Sequence, residues 1–182
     1  GLGRSGQLFA SQAVGLKPDI ITLSKPLGGG LPLSATLLPA KVNDLLNPGD
    51  HGSTFGGGPV TTAAGRYLLK RLTAPGFMDH VRGRIDQLDA GLRRLQAESD
   101  IIIGLRGLGM LRGLRLKTPV DGDAPVAAVM EEARANGLLV LKSGTDVVRI
   151  APPLVMTESE MARGLELLGS ALKSVQKTHY RE

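Results

Sequence analysis

Apolar residues at steps of three and four, Val81, Ile85, Leu88, Leu92 and Leu95, form the clearest pattern in the chain. That spacing lines one face of an α-helix and predicts a helix over residues 77–98. Such a helix is ~33 Å long, enough to bridge two domains. Ala63, Leu68, Leu69 and Leu72 give a rougher stripe and predict a helix over 59–73. Pro59 suits its first turn, and Thr73-Ala74-Pro75-Gly76 breaks it.

Ahead of these helices the pattern changes. Residues 1–60 hold twelve glycines and read as short strands joined by glycine loops. Asp19-Ile20-Ile21-Thr22-Leu23-Ser24 predicts a strand entering a core, and Leu33 to Leu38 a second one, stopped by Pro39. Gln7 to Val14 is short for a helix. Lys25 precedes Pro26, which pushes it out of the helical region, so it is expected to be extended or at a strand end.

Beyond residue 100, Ile101-Ile102-Ile103 and Leu111 to Leu116 predict strands around Arg106-Gly107-Leu108-Gly109. A Pro/Asp/Gly loop is expected over 118–125 and a helix over 125–136, closed by Asn136-Gly137. Short strands follow at 138–141 and 147–150. A last helix is predicted over 158–176, with Thr157-Glu158-Ser159-Glu160 as its capping box. The chain therefore divides into 1–98 and a small α+β domain over 99–182, with no internal repeat.

Composition narrows the function. Of 182 residues, 42% are hydrophobic and 21% charged, as in a globular protein. Cysteine is absent, which excludes disulfides, thiol nucleophiles and Cys-zinc sites. With no tryptophan and 3% aromatics the core must be aliphatic, and a stacking platform for single-stranded nucleic acid is not expected. The net charge of +5 is diffuse. Arg82, Arg84, Arg93 and Arg94 alternate with Asp86 and Asp89, as on a solvated helix face. No nucleic-acid partner is expected. His51, His80 and His179 are far apart and H-E-x-x-H is absent, so no metal site is expected. No apolar run reaches the ~18 residues of a membrane span. The Gly-rich polar start does not look like a signal peptide, and the cytoplasm is the expected compartment. The first residue is Gly rather than Met, consistent with a piece of a longer chain.

Three places can carry chemistry. Lys25 lies between an apolar strand and Gly28-Gly29-Gly30. A lysine in a dry, backbone-rich pocket loses hydration and exposes a nucleophilic amine, as a Schiff-base lysine requires; the alternative is an ordinary lysine reaching solvent from a strand end. His51-Gly52-Ser53-Thr54-Phe55-Gly56-Gly57-Gly58-Pro59 offers two hydroxyls, glycine amides and a helix start. It can hold a phosphate or be a structural turn. Arg149 sits within an apolar strand and faces a carboxylate, from the protein or from a substrate. Other signals are weaker. Gly1-Leu2-Gly3-Arg4-Ser5-Gly6 matches G-x-G-x-x-G but lacks the strand that a dinucleotide fingerprint needs before it. Gly52 to Gly56 has Thr where a nucleophile elbow has Ser, with no His/Asp partners in order.

Taken together, these segments resemble the class III, fold type I aminotransferases, most closely those of the acetylornithine and ornithine type. Gly1 to Ala10 resembles the family's G-x-G-R-[ST]-G-x-[LF]-[FW]-A. Pro18 to Gly30 resembles its lysine segment, and His51 to Pro59 its H-G-[ST]-T-[FY]-G-G-[NG]-P. Arg106 to Met110 and Val148 to Leu154 resemble its C-terminal domain. The resemblance covers nearly the whole chain. It implies an α/β fold: the C-terminal part of a pyridoxal-phosphate-binding large domain with its bridging helix over 1–98, then a small α+β domain over 99–182. It also implies pyridoxal 5'-phosphate as cofactor, Lys25 as the Schiff-base lysine and proton carrier, Ser53 and Thr54 at the cofactor phosphate, and Arg149 on a substrate carboxylate. Thr54 would act across the interface of a homodimer. The expected reaction is ping-pong transfer from an ornithine derivative to 2-oxoglutarate. A 4-aminobutyrate or ω-amine donor, or a non-catalytic truncated module, are the alternatives. Family chains run to roughly twice this length, and their other half supplies an aspartate for the pyridine nitrogen. This segment alone is therefore expected to be inactive. Ser24, Pro26 and Gly58 stand where Ala, Gly and Asn are frequent.

Overall fold

The structure, a computed structural model, describes residues 1–119, 122 and 125–180. The chain divides into two compact units, Gly1–Asp79 and His80–Glu182. Most of the loop expected over 118–125 lies outside the described residues.

The first unit has little regular structure. A single helical turn α1 (Ala10–Ala13) is followed by β1 (Ile21–Leu23), a 3-10 turn over Lys25–Gly28, β2 (Ala35–Leu37) and a second single turn α2 (Ala40–Asn43). Both strands fall inside the predicted segments but are shorter. They pair antiparallel, with Thr22 opposite Thr36. Then comes α3 (Pro59–Leu72), close to the predicted helix, with Pro59 in its first turn.

This helix packs on the 3-10 turn through a glycine. A Cβ on buried Gly65 would stand 2.6 Å from Leu33 Cδ2 and 3.2 Å from the Leu27 carbonyl oxygen. Only a residue without a side chain lets the turn come that close. An apolar groove of about 560 Å³ runs along this unit, lined by Leu8, Phe9, Leu23, Leu27, Leu33 and Leu69 among others.

The second unit is built around a sheet. Helix α4 (Phe77–Ala97) begins at the end of the first unit. It is followed by β3 (Ile102–Leu108), β4 (Leu111–Leu116), α5 (Val126–Ala135), β5 (Leu141–Ser143), β6 (Val147–Ile150) and α6 (Glu158–His179). The sheet order is β3-β4-β6-β5, antiparallel throughout. One face is closed: Leu114, Leu116 and Val148 have no solvent exposure, and neither do Val81, Leu92, Val126 and Val129 on the helices. Close approach between α4 and α6 again uses glycine. A Cβ on Gly91 would stand 2.3 Å from Leu165 Cδ1, and one on Gly169 2.9 Å from Leu95 Cδ2. This packing places nearly all of α4 in the second unit.

The predicted caps are present. Thr157 Oγ1 accepts from the Glu160 amide at 3.2 Å, and the Thr157 amide donates to Glu160 Oε2 at 2.7 Å. That hydrogen bond holds the Glu160 carboxyl below its usual range. Gly137, at φ +85°, follows α5.

Two expectations differ. Residues 138–140 carry no strand, because pairing of Leu141 with Arg149 sets where β5 begins. β3 also runs on through Arg106 and Gly107, placing the turn at Gly109-Met110. Gly107 makes this possible: at φ +95°, a Cβ there would lie 2.1 Å from the Leu111 carbonyl oxygen.

Candidate functional site

Lys25 ends an extended stretch and starts a turn. Its φ is +52°, and it is the only non-glycine residue with positive φ among the described residues. Proline does keep it out of the right-handed helical region, but it occupies the left-handed region rather than an extended one. The cause lies just downstream. Leu27 and Gly28 are buried beneath α3, so the chain must turn at once after β1. Leu27 N donates to Ser24 O and Gly29 N to Pro26 O, closing the turn. Holding an L-residue in the left-handed region costs about 1 kcal/mol or more, a strain characteristic of functional positions.

The Lys25 side chain is exposed and its ammonium has no hydrogen-bond or ionic partner among the described residues. With Gly1, Leu2, Thr22, Leu23, Ser24 and Pro26 it lines a pocket of about 390 Å³. None of these residues is an acid.

Ser53 and Thr54 lie in the exposed segment His51–Gly57. Gly56 N donates to Ser53 O at 3.2 Å, tightening the loop just before α3. Thr61 and Thr62 both donate to the Gly58 carbonyl, at 3.0 and 2.9 Å. The Ser53 and Thr54 hydroxyls have no such partner and stay available to a ligand. The first turn of α3 carries no acidic residue, so nothing there opposes an anion near its unpaired amides. Neither Ser53 nor Thr54 lines the Lys25 pocket.

Arg149 belongs to the second unit, on β6. Its side chain lies on the open face of the sheet and is exposed. It has no hydrogen-bond or ionic partner among the described residues, so the internal ion pair left open by the sequence is not formed there. The neighbouring acid is committed elsewhere. Asp146 accepts from Arg115 Nε at 2.6 Å. This hydrogen bond, helped by the charges of Arg115 and Arg106, lowers the Asp146 pKa.

Sequence reading missed a row across the sheet. Arg106 on β3 stands opposite Gly113 on β4, and Gly113 opposite Arg149 on β6. Arg106 appears in a segment that resembles the family, but its relation to Arg149 depends on non-local register. The available signal was the alternation Leu111-Arg112-Gly113-Leu114-Arg115-Leu116, which puts Gly113 and Arg115 on one face. Ser5, in the first glycine turn, has a buried hydroxyl with no partner. No group of three or more His, Cys, Asp or Glu residues that could hold a metal occurs among the described residues.

Comparison with known proteins places this arrangement. Residues 1–172 match the family "Aminotransferase class-III". The acetylornithine aminotransferase of Xanthomonas campestris pv. campestris is 40% identical over 179 residues, covering 98% of this chain and 43% of that protein. The succinylornithine transaminase of Salmonella enteritidis is 38% identical over 176 residues, 97% of this chain and 43% of that one. Among solved structures, an ornithine aminotransferase from Toxoplasma gondii superposes with a TM-score of 0.91 at 31% identity, over 100% of this chain and 42% of that one. The chain belongs to the class III aminotransferase family, and its mixed helix and strand fold is part of the fold type I aminotransferase fold. It spans less than half the length of these relatives.

Class III aminotransferases use pyridoxal phosphate. The residues present fit such a group: a partner-free lysine amine at a pocket, and two free hydroxyls beside a helix start without opposing acids.

Proposed function

We propose that this chain carries the lysine-bearing part of a pyridoxal-phosphate-dependent aminotransferase. The reaction moves an amino group from an N-acetylornithine-like donor to 2-oxoglutarate, in arginine biosynthesis. The observation that carries the reading is the strained, partner-free Lys25 at its pocket, within a chain of this family. Relatives named for acetylornithine, succinylornithine and ornithine support the donor class.

Pyridoxal phosphate, when bound, supplies an electrophilic carbonyl and an electron sink. Lys25 Nζ holds it through the amine, and is the base that moves a proton at the substrate carbon bearing the amino group. Ser53 and Thr54 donate their hydroxyl hydrogens to the phosphate. The Arg149 guanidinium orients a substrate carboxylate by charge-assisted hydrogen bonds. The exchange is ping-pong, the spent donor leaving before the acceptor enters.

On this reading, residues 1–98 serve the cofactor-binding domain and 99–182 the small domain, a division by role that differs from the division by packing. The assembly is a homodimer with a shared site, in the cytoplasm. Support for a second copy comes from an exposed apolar set around the phosphate loop: Phe55 is 89% exposed, Val60 72% and Tyr67 72%. These 182 residues alone do not complete transamination, because no acid lines the Lys25 pocket to keep a pyridine nitrogen protonated.

Titration with pyridoxal phosphate tests the reading. The wild-type chain is expected to develop the visible absorbance of lysine-bound cofactor, and Lys25→Ala to lose it. Equal absorbance in both proteins overturns the assignment.

A further inference from the structure

The chain holds three asparagines, and each has a different neighbour: Asn43 precedes Asp44, Asn47 precedes Pro48 and Asn136 precedes Gly137. The last pair is chemically distinct. Glycine has no Cβ to shield its own amide nitrogen, so that nitrogen can reach the side-chain carbonyl carbon of the asparagine before it. Proline has no N–H for the same attack. Asn136 and Gly137 are both exposed, so water reaches them.

The fold holds this pair in a conformation that opposes the reaction. Asn136 follows the last residue of α5 with φ −91° and ψ 6°. At that ψ the Gly137 nitrogen nearly eclipses the Asn136 nitrogen and stands well away from Cβ. Closing a five-membered ring between Gly137 N and Asn136 Cγ requires the nitrogen to swing round to the Cβ side. Two hydrogen bonds resist the swing. Gly137 N donates to Arg134 O at 3.0 Å, and Asn136 Nδ2 donates to Glu132 O at 2.7 Å. The first also retains the proton that the nitrogen must lose to become a nucleophile. Leu138 N, donating to Ala133 O at 2.8 Å, closes the turn. These bonds sit at a helix end, where Arg134, Ala135, Asn136 and Gly137 are all exposed, and helix ends open at low free energy.

We propose that Asn136 is a deamidation site gated by opening of the α5 C-terminus. In the opened end the Gly137 nitrogen gives its proton to solvent and attacks Asn136 Cγ. The N–Cγ bond forms, the Cγ–Nδ2 bond breaks, and ammonia leaves after taking a proton from solvent. Water then opens the cyclic imide at either carbonyl, giving aspartate, or isoaspartate with the main chain routed through the side chain. One water enters, one ammonia leaves, and nothing is oxidised or reduced. The product cannot restore the cap. A carboxylate has no hydrogen to give Glu132 O, and its charge lies at the negative end of the helix dipole. Isoaspartate also adds a methylene to the main chain ahead of buried Val140 and β5.

The test follows loss of the amide in mildly alkaline buffer, in the folded chain and in urea. Trypsin cuts after Arg134 and Lys142, so Asn136 is read from the Ala135–Lys142 peptide by its gain in mass. Water enriched in heavy oxygen marks the residues converted during incubation, and circular dichroism checks that each variant is folded. The folded chain is expected to react about tenfold more slowly than the unfolded one, the factor for about 1.4 kcal/mol of hydrogen bonding. Ala135→Gly weakens the helix end, and should speed the folded reaction about threefold while leaving the rate in urea unchanged. Asn43 and Asn47 should keep their amides over the same time. Asn136→Asp, which mimics one product, should lower the thermal midpoint by a few degrees. Equal rates in the folded and unfolded chain, or a folded rate that Ala135→Gly leaves unchanged, overturn the gate. No conversion at Asn136 in urea, or conversion of Asn43 or Asn47 at the same rate, overturns the site. An unchanged midpoint in Asn136→Asp overturns the stated effect on the cap.

Discussion

The two units solve the problem of burial differently. Among the described residues, Leu2, Leu27 and Leu72 are the buried apolar residues of the first unit, whereas twenty lie in the second. The first unit instead exposes large apolar side chains, including Val14, Leu16, Leu45, Phe55, Val60 and Tyr67. Its strands have three residues each, and Lys25, Ser53 and Thr54 sit on turns and loops. The second unit closes a four-stranded sheet with helices and carries Arg106 and Arg149 on paired strands. The lysine-bearing unit thus leaves much of its apolar surface open, whereas the unit that carries Arg149 holds a core of its own. A chain that spans less than half of its relatives' length fits this contrast.

Stability measurements can break the comparison. Leu92 has no solvent exposure, so Leu92→Ala should cost about 2–5 kcal/mol, read by urea unfolding. Leu45 of the first unit, outside the apolar set around the phosphate loop, is 75% exposed, and Leu45→Ser should stay within about 0.5 kcal/mol. Equal losses at the two positions would mean that the units do not differ in the way described.

A smaller effect sharpens the picture of the second unit. The Asp89 carboxyl is held below its usual pKa, first by the hydrogen bond from Arg93 and further by the Arg112 charge. A carboxyl with a lowered folded-state pKa stabilises the fold fully above its unfolded value of ~3.9, and the contribution fades as pH falls through the folded value. Unfolding free energy measured against pH should therefore fall below about pH 4. Asp89→Asn should lower stability at neutral pH and flatten that part of the acid limb. An unchanged acid limb in Asp89→Asn would assign no role to this ion pair.

What the sequence made legible was local. The apolar stripe from Val81 to Leu95 gave α4 to within a residue, and Val147–Ile150 is a strand as expected. The Thr157–Glu160 cap and the Gly137 stop depend on neighbouring residues and were equally readable. The missed features depend on distant partners. Lys25 adopts φ +52° because Leu27 and Gly28 must pass beneath α3, which begins more than thirty residues later in the chain. The Arg106–Gly113–Arg149 row needs the register of three strands. The lysine, the hydroxyls and Arg149 stood out as candidates; what the sequence could not supply was the backbone strain at one and the cross-strand neighbour of another.

Reductive trapping tests the central claim most directly. The chain is incubated with pyridoxal phosphate, reduced with borohydride and digested, and the adduct is located by mass. The account predicts one dominant adduct, on Lys25. Adducts spread over Lys17, Lys41, Lys70 and Lys25 alike would contradict it, because the pocket would then confer no selectivity on the lysine it contains.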